Sequence, residues 1–272
     1  LADVYKRKIE RLTQKTPEPG KLPPLLRKIE MDTSTPASLT QLYTLVPSHM
    51  REPYLVHLLH HPPCQKVEVR TDLSDVYRTH KPKLPREEAP AYPLSIIFVA
   101  RCKSAELLSR MLTELGVPNV SLHSMLPQST RLHNLHMFRA RRVPILISTD
   151  VGSRGLDVPD VELVVNWDVP AAWEDYVHRV GRTARKGRPG WAVSFVTEHD
   201  VDLVQTIEDK IHKTLTEWDM PESQVLERLS HVSAAKRVAS MALHDEKFGE
   251  QRERNKRKAQ ASQPRSKKHH VQ

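Results

Sequence analysis

The sequence predicts an α/β fold, a mainly parallel sheet covered by helices on both faces, followed by a disordered basic tail. Three observations predict it. Short continuous apolar runs such as SIIFVA, PILIST and LVVNW alternate with amphipathic segments, the pattern of repeated β/α units. Five of the 8 glycines (Gly152, Gly155, Gly181, Gly187, Gly190) crowd between positions 152 and 190, which marks close backbone approach there. From Glu246 onward nine Lys/Arg face three Glu, so six of the nine net positive charges lie in a tail nearly free of large apolar groups. Such a segment cannot recover its ordering entropy by burial.

The elements follow in order. Residues 1–38 carry Pro17, Pro19, Pro23, Pro24 and Pro36, which block long regular elements, so a linker is expected. SLTQLYTLVP reads as a strand and MREPYLVHLLHH, with Leu55, Leu58 and Leu59 at helical spacing, as the helix after it. Residues 60–94 are rich in Pro and charge and lack periodicity, as in a surface insertion. SIIFVA is a buried strand, and SAELLSRMLTELG an amphipathic helix with Ser104 as expected N-cap and Gly116 as C-terminal stop. VSLH, PQSTRLHNLHMFRA, PILIST, LVVNW, AAWEDYVHRV, WAVSFV and EHDVDLVQTIEDKIHKTL continue the alternation. In such a sheet ligands gather at the carboxyl ends of the strands.

Composition excludes several classes. No run approaches the roughly 18 to 20 apolar residues of a membrane span, and the charged LADVYKRKIERLTQK is not a signal peptide, so a soluble intracellular protein is expected, with no membrane partner. Cys64 and Cys102 are too few for a disulfide framework or a zinc site, and no metal ligand set is expected. The charge of +9 and pI near 9.6 favour a polyanionic partner. Histidines 57, 60, 61, 133 and 136 and the four tryptophans carry no site reading; packing or solvation is their default.

Two stretches carry chemistry. In ILISTDVGSRGLDVPDV a buried strand ends at Thr149 and Asp150 and turns through Gly152 and Gly155, where backbone N–H groups and a hydroxyl can meet a phosphate. The plain alternative is a tight strand-to-helix turn with Arg154 bridged to Asp157. In DYVHRVGRTARKGRPG, a helix would put His178, Arg182 and Arg185 on one face and Arg179 elsewhere. Two converging guanidiniums suit a phosphoryl group during transfer; the alternative is a solvated basic face.

Together, TDVGSRGLDVPDV and DYVHRVGRTARKGRPG resemble the paired signatures of the C-terminal RecA-like lobe of DEAD-box ATP-dependent RNA helicases, with LHSMLPQSTR similar to that family's QxxR element. The resemblance covers about residues 39–213, outside the insertion. It implies RNA-backbone contact by Gln128, Arg131, Thr149, Asp150 and Gly152, a ribose contact by Asp157, arginine fingers at Arg182 and Arg185 toward the γ-phosphate, and interdomain-cleft contacts by His178 and Arg179. On this view one face serves both ligands. Ala184 departs from the family, many of whose members have Gly there. The resemblance makes residues 1–38 a linker or remnant of a preceding lobe, 214–245 a C-terminal helical extension and 246–272 the basic tail. TLVPSHMREPYLVHLL and EKFGEQRERNKRK are most similar to the fungal nucleolar branch that processes small-subunit ribosomal RNA, implying pre-rRNA and pre-ribosomal proteins as partners and a nuclear, nucleolar location.

Neither G-x-x-x-x-G-K-[ST] nor D-E-A-D occurs; GRTARKGR has the wrong spacing. ATP and Mg²⁺ would therefore be held mainly by an N-terminal RecA-like lobe, and the chain alone should not hydrolyse ATP. A catalytically inactive one-lobe RNA-binding or scaffolding protein, and a lobe of a DNA helicase, remain alternatives at this point.

Overall fold

The computed structural model describes residues 35–64, 92–153, 158–185, 187–246 and 248. The linker expected before residue 35, most of the 60–94 insertion, Arg154 with Asp157, and the tail beyond Phe248 lie outside these residues. In chain order the elements are β1 (Leu39–Leu45), α1 (Arg51–His60), β2 (Ser95–Phe98), α2 (Cys102–Glu114), β3 (Asn119–Leu122), α3 (Gln128–Arg139), β4 (Ile145–Ser148), α4 (Asp150–Ser153), β5 (Leu163–Asn166), α5 (Trp173–Val180), β6 (Gly190–Val196), α6 (Val201–Ile211), β7 (Thr216–Glu217), α7 (Glu222–Leu226) and α8 (Leu229–Asp245).

All seven strands are parallel, in the order β3-β4-β2-β5-β6-β1-β7. Burial on both faces explains why ILIS and LVVN read as continuous apolar runs: every residue of β4 and β5 is buried. Successive residues serve opposite layers. Ile97, Ile147, Val165 and Phe195 pack against α1, α2 and α8, whereas Ile96, Leu146, Val164 and Val196 pack against α3, α5 and α6. The extension over 214–245 supplies Met220, Val225, Val232, Ala235 and Ala239 to the first of these layers.

Two helix ends differ from or agree with expectation for clear reasons. Ser104 does not cap α2: the helix starts earlier, at Cys102, because the chain turns as soon as β2 ends, and Arg101 occupies the cap without a side-chain bond. Gly116 does stop it. At φ +74° it closes a Schellman motif, with its N–H on the Thr113 carbonyl and the Val117 N–H on that of Leu112.

Candidate nucleic-acid interface at the carboxyl edge of the sheet

The tip of β4 is folded onto the tip of β3. The Thr149 N–H (3.3 Å) and the Ser148 hydroxyl (3.1 Å) both donate to the Leu122 carbonyl, and the Thr149 hydroxyl accepts the Gly152 N–H at 3.2 Å, capping the short α4. Gly152 is glycine for a local reason: a Cβ there would stand 2.3 Å from the Leu122 carbonyl oxygen and 3.0 Å from the His123 Cα. Its missing side chain is therefore required by the β3 tip, not only by a ligand. Arg131, on α3, donates one guanidinium nitrogen to Gln128 Oε1 (2.9 Å) and another to the Gly152 carbonyl (3.3 Å). The structure thus brings Gln128, Arg131, Thr149 and Gly152 together. Gln128 is exposed, Arg131 half-buried and Thr149 buried.

Asp150 sits in the same turn but faces inward. Arg179 clamps it with two bonds of 2.7 Å and donates its remaining nitrogen to the Asp168 carbonyl (2.7 Å) and Asn166 Oδ1 (3.3 Å), above the Phe98 ring. Arg179 is 3% exposed. Expected with His178 at an interdomain cleft, it is instead committed within the lobe, because one residue along a helix rotates the side chain by about 100°; His178 is the one of the pair that is exposed. Asp150 can offer a ligand its backbone more readily than its carboxylate.

Sequence reading missed the rest of this network. Asp168 accepts the Ala100 N–H (2.7 Å) and pairs with Arg51 (2.9 Å), whose guanidinium lies 4.3 Å from the centre of the Trp167 ring. Asp168 thereby joins the ends of β2 and β5 to the start of α1. No local signal marks it, since Arg51 and Asp168 are 117 positions apart. The W-D pair following the apolar run LVVN is the nearest hint.

The arginine-rich loop is placed elsewhere. α5 ends at Val180, so His178, Arg182 and Arg185 do not share one helical face. The helix has brought the chain back against the strand direction, and the loop is pinned at the amino ends of the strands. The Arg182 carbonyl accepts the Val161 N–H (3.0 Å), the Thr183 hydroxyl donates to the Val161 carbonyl (2.6 Å), and the Ser38 hydroxyl donates to the Ala184 carbonyl (3.4 Å). Gly190, the first residue of β6, has no room for a Cβ, which would lie 2.3 Å from the Ala184 nitrogen. Arg185 is 45% exposed and rests on Asp160 (3.2 Å) and the Gly181 carbonyl. The two groups of residues expected on one face therefore lie at different edges of the sheet, the Thr149–Gly152 turn at the carboxyl edge and the Arg182–Arg185 loop at the amino edge.

Residues 87–187 match the model of the helicase conserved C-terminal domain. The chain is 52% identical over 283 residues to "ATP-dependent RNA helicase DBP8" of Mycosarcoma maydis, covering 94% of this chain and 53% of that protein. Among solved structures, the E. coli DEAD-box protein SrmB, bound to the regulator of ribonuclease activity A, superposes with a TM-score of 0.54 at 30% identity over 68% of this chain and 92% of that one. The chain belongs to the DEAD-box family of RNA helicases. Its lobe is the helicase C-terminal one, and it resembles the DBP8 branch found in fungi. S. cerevisiae Dbp5, bound to RNA and ADP BeF3, superposes with a TM-score of 0.57 at 25% identity over 87% of this chain and 53% of that one. The chain spans about half the length of the curated relatives it matches.

Among the described residues no group of three or more His, Cys, Asp or Glu is arranged to hold a metal ion, and no helix is long and apolar enough to cross a membrane.

Proposed function

We propose that this lobe grips the RNA sugar-phosphate backbone at the carboxyl edge and presents Arg182 and Arg185 to the γ-phosphate of ATP held mainly, with Mg²⁺, by an N-terminal RecA-like lobe. The observation that carries the reading is the convergence of Arg131, Gln128 and the Thr149 cap on the Gly152 turn: a guanidinium, an amide and backbone groups at one strand tip contact phosphate and sugar without reading bases. The half-exposed Arg185, on a carboxylate that an anion can replace, fits a phosphate ligand at the second site. Bound nucleotide supplies the phosphoryl group; Arg182 and Arg185 offset the charge that spreads over it, and Asp157 holds the ribose. Asp150 contributes through the backbone of the turn, and His178 faces the partner lobe.

The finer reading is that the RNA is pre-rRNA, with pre-ribosomal proteins as neighbours in the nucleolus. The resemblance of TLVPSHMREPYLVHLL and EKFGEQRERNKRK to the nucleolar branch supports it.

The test mixes this chain with the N-terminal lobe of the Mycosarcoma maydis relative and follows ATP hydrolysis with and without single-stranded RNA. Hydrolysis is expected only with both lobes and RNA, falling about 10³-fold or more in Arg182→Ala or Arg185→Ala. Turnover by this chain alone that disappears in Arg182→Ala would overturn the division of labour, and an inert mixture that still binds RNA would leave only a binding module.

A further inference from the structure

A line of contacts runs from the last turn of α8 to the turn that carries the RNA reading. Glu246, just past the helix, makes two bonds to the Arg110 guanidinium, at 2.8 and 2.6 Å. The third nitrogen of Arg110 donates to Glu106 Oε1 at 3.0 Å, and Glu106 Oε2 accepts from both His123 Nε2 and the Ser121 hydroxyl, each at 3.2 Å. His123 is fully buried, and its Nδ1 has no partner. Glu106 is thus the polar anchor of the ring, with Phe248 meeting it edge-on at 6.0 Å. Phe248 is itself fixed, because its N–H caps the Leu243 carbonyl at 3.2 Å. Beyond His123 the line reaches the turn directly: the His123 Cα and the Leu122 carbonyl are the two surfaces against which Gly152 has no room for a side chain, and Leu122 also receives Ser148 and Thr149.

We infer that Glu246, Arg110, Glu106 and Phe248 are positioning residues for the RNA-gripping turn, acting by holding His123 and with it the platform under Gly152. The inference rests on the RNA reading above. It assigns the helical extension a task beyond packing: the end of α8 sets the register of a loop more than ninety positions earlier in the chain. Each link is a direct contact, and each polar link joins an ionised or hydrogen-bonded group whose geometry is more directional than apolar packing. Burial makes the ring intolerant of rearrangement, since a His123 turned away from Glu106 would lose its one partner.

The experiment uses the whole 272-residue chain, comparing Glu246→Ala, Phe248→Ala and the conservative Glu246→Asp. Two readouts are taken beside the thermal midpoint: hydrogen exchange of the Gly152 amide, which donates to Thr149 Oγ1, and anisotropy of a fluorescein-labelled ten-nucleotide oligouridine. Glu246→Ala and Phe248→Ala are expected to speed Gly152 exchange and to weaken RNA binding about five-fold, with Glu246→Asp, which keeps a carboxylate toward Arg110, staying closer to wild type in both. Charge alone predicts the opposite for Glu246→Ala, because removing an acid strengthens attraction to phosphate. All variants keep the basic tail, so its contribution is common to them.

Gly152 exchange and RNA affinity that stay at wild-type values in both single variants overturn the inference. So does a loss that tracks global melting and is as large in Glu246→Asp as in Glu246→Ala. Gly152 exchange that rises while wild-type protein shows no RNA affinity keeps the coupling and sinks the RNA reading. Wild-type binding that falls in Arg131→Ala, with Gly152 indifferent to Glu246 and Phe248, does the reverse.

Discussion

Arg179 and Arg185 lie six positions apart and have opposite surroundings: the first is buried with all its nitrogens bound, the second is half in solvent. Helix arithmetic separates Arg179 from His178 correctly, but which side is the inside depends on where α5 packs, and that is a property of the sheet. The arithmetic also fails past Gly181, where the helix has ended. Backbone conformation at single residues was less legible still. Ala184 and His212 both adopt left-handed conformations, at φ 56° and 52°. For an L-residue this costs about 1–2 kcal/mol. At Ala184, which is buried, glycine would relieve that strain but forfeit a methyl group worth about 0.8 kcal/mol and add chain entropy to the unfolded state, so the terms nearly cancel. Alanine is therefore tolerated at a backbone conformation that favours glycine. His212 is exposed and ends α6, so no buried group is lost there and only the chain entropy opposes the relief of strain. His212→Gly is expected to stabilise the protein by about 1 kcal/mol, seen as a rise of about 2–4 °C in the thermal midpoint.

At the scale of elements, the buried strands were the most readable because their apolar runs are short, unbroken and bounded by turn residues. The helices were readable in position and not in partner: nothing in SAELLSRMLTELG says that Glu106 faces His123 across the layer, because that pairing needs β3 laid beside β4. Its consequence is a pH dependence. The His123 hydrogen bond, and after it the Arg110 guanidinium, hold the Glu106 carboxyl below its ordinary range. A carboxyl lowered in the folded state contributes stability that is present above its unfolded value of 4.5 and is lost as pH falls through the folded value. The urea midpoint of wild type should therefore drop more steeply below pH 4.5 than that of Glu106→Gln, the two curves converging in acid and parting toward neutrality. Parallel curves would show that the ring contributes no proton-linked stability. α5 is the second instructive element, since its eight residues carry the chain from one edge of the sheet to the other and so separate two motifs that lie close together in sequence.

At the scale of the molecule, the alternation of apolar runs and helices was sufficient to predict a parallel sheet with two covered faces, while the strand order was not legible, because β1 joins β6 rather than its neighbour in sequence. Nor was the debt of that sheet to its C-terminal helices. Met220, Val225 and Val232 are nearly fully buried in one layer. At about 1.5–3 kcal/mol each, these three side chains rival the whole of an ordinary domain's stability of about 5–15 kcal/mol. A chain ended after Lys213 is accordingly expected to lose its cooperative melting transition by circular dichroism, whereas one ended after Phe248 should keep it. The position of β1 has a further effect, on how the molecule is made. It lies between β6 and β7, whose paired residues follow it by 151 and 174 positions. At a synthesis rate of about 5–20 residues per second, the nascent chain carries LTQLYTL without either neighbour for roughly 8 to 30 seconds. During that interval the strand is a candidate for chaperone capture, and the earliest described strand to leave the ribosome is among the last to find its place.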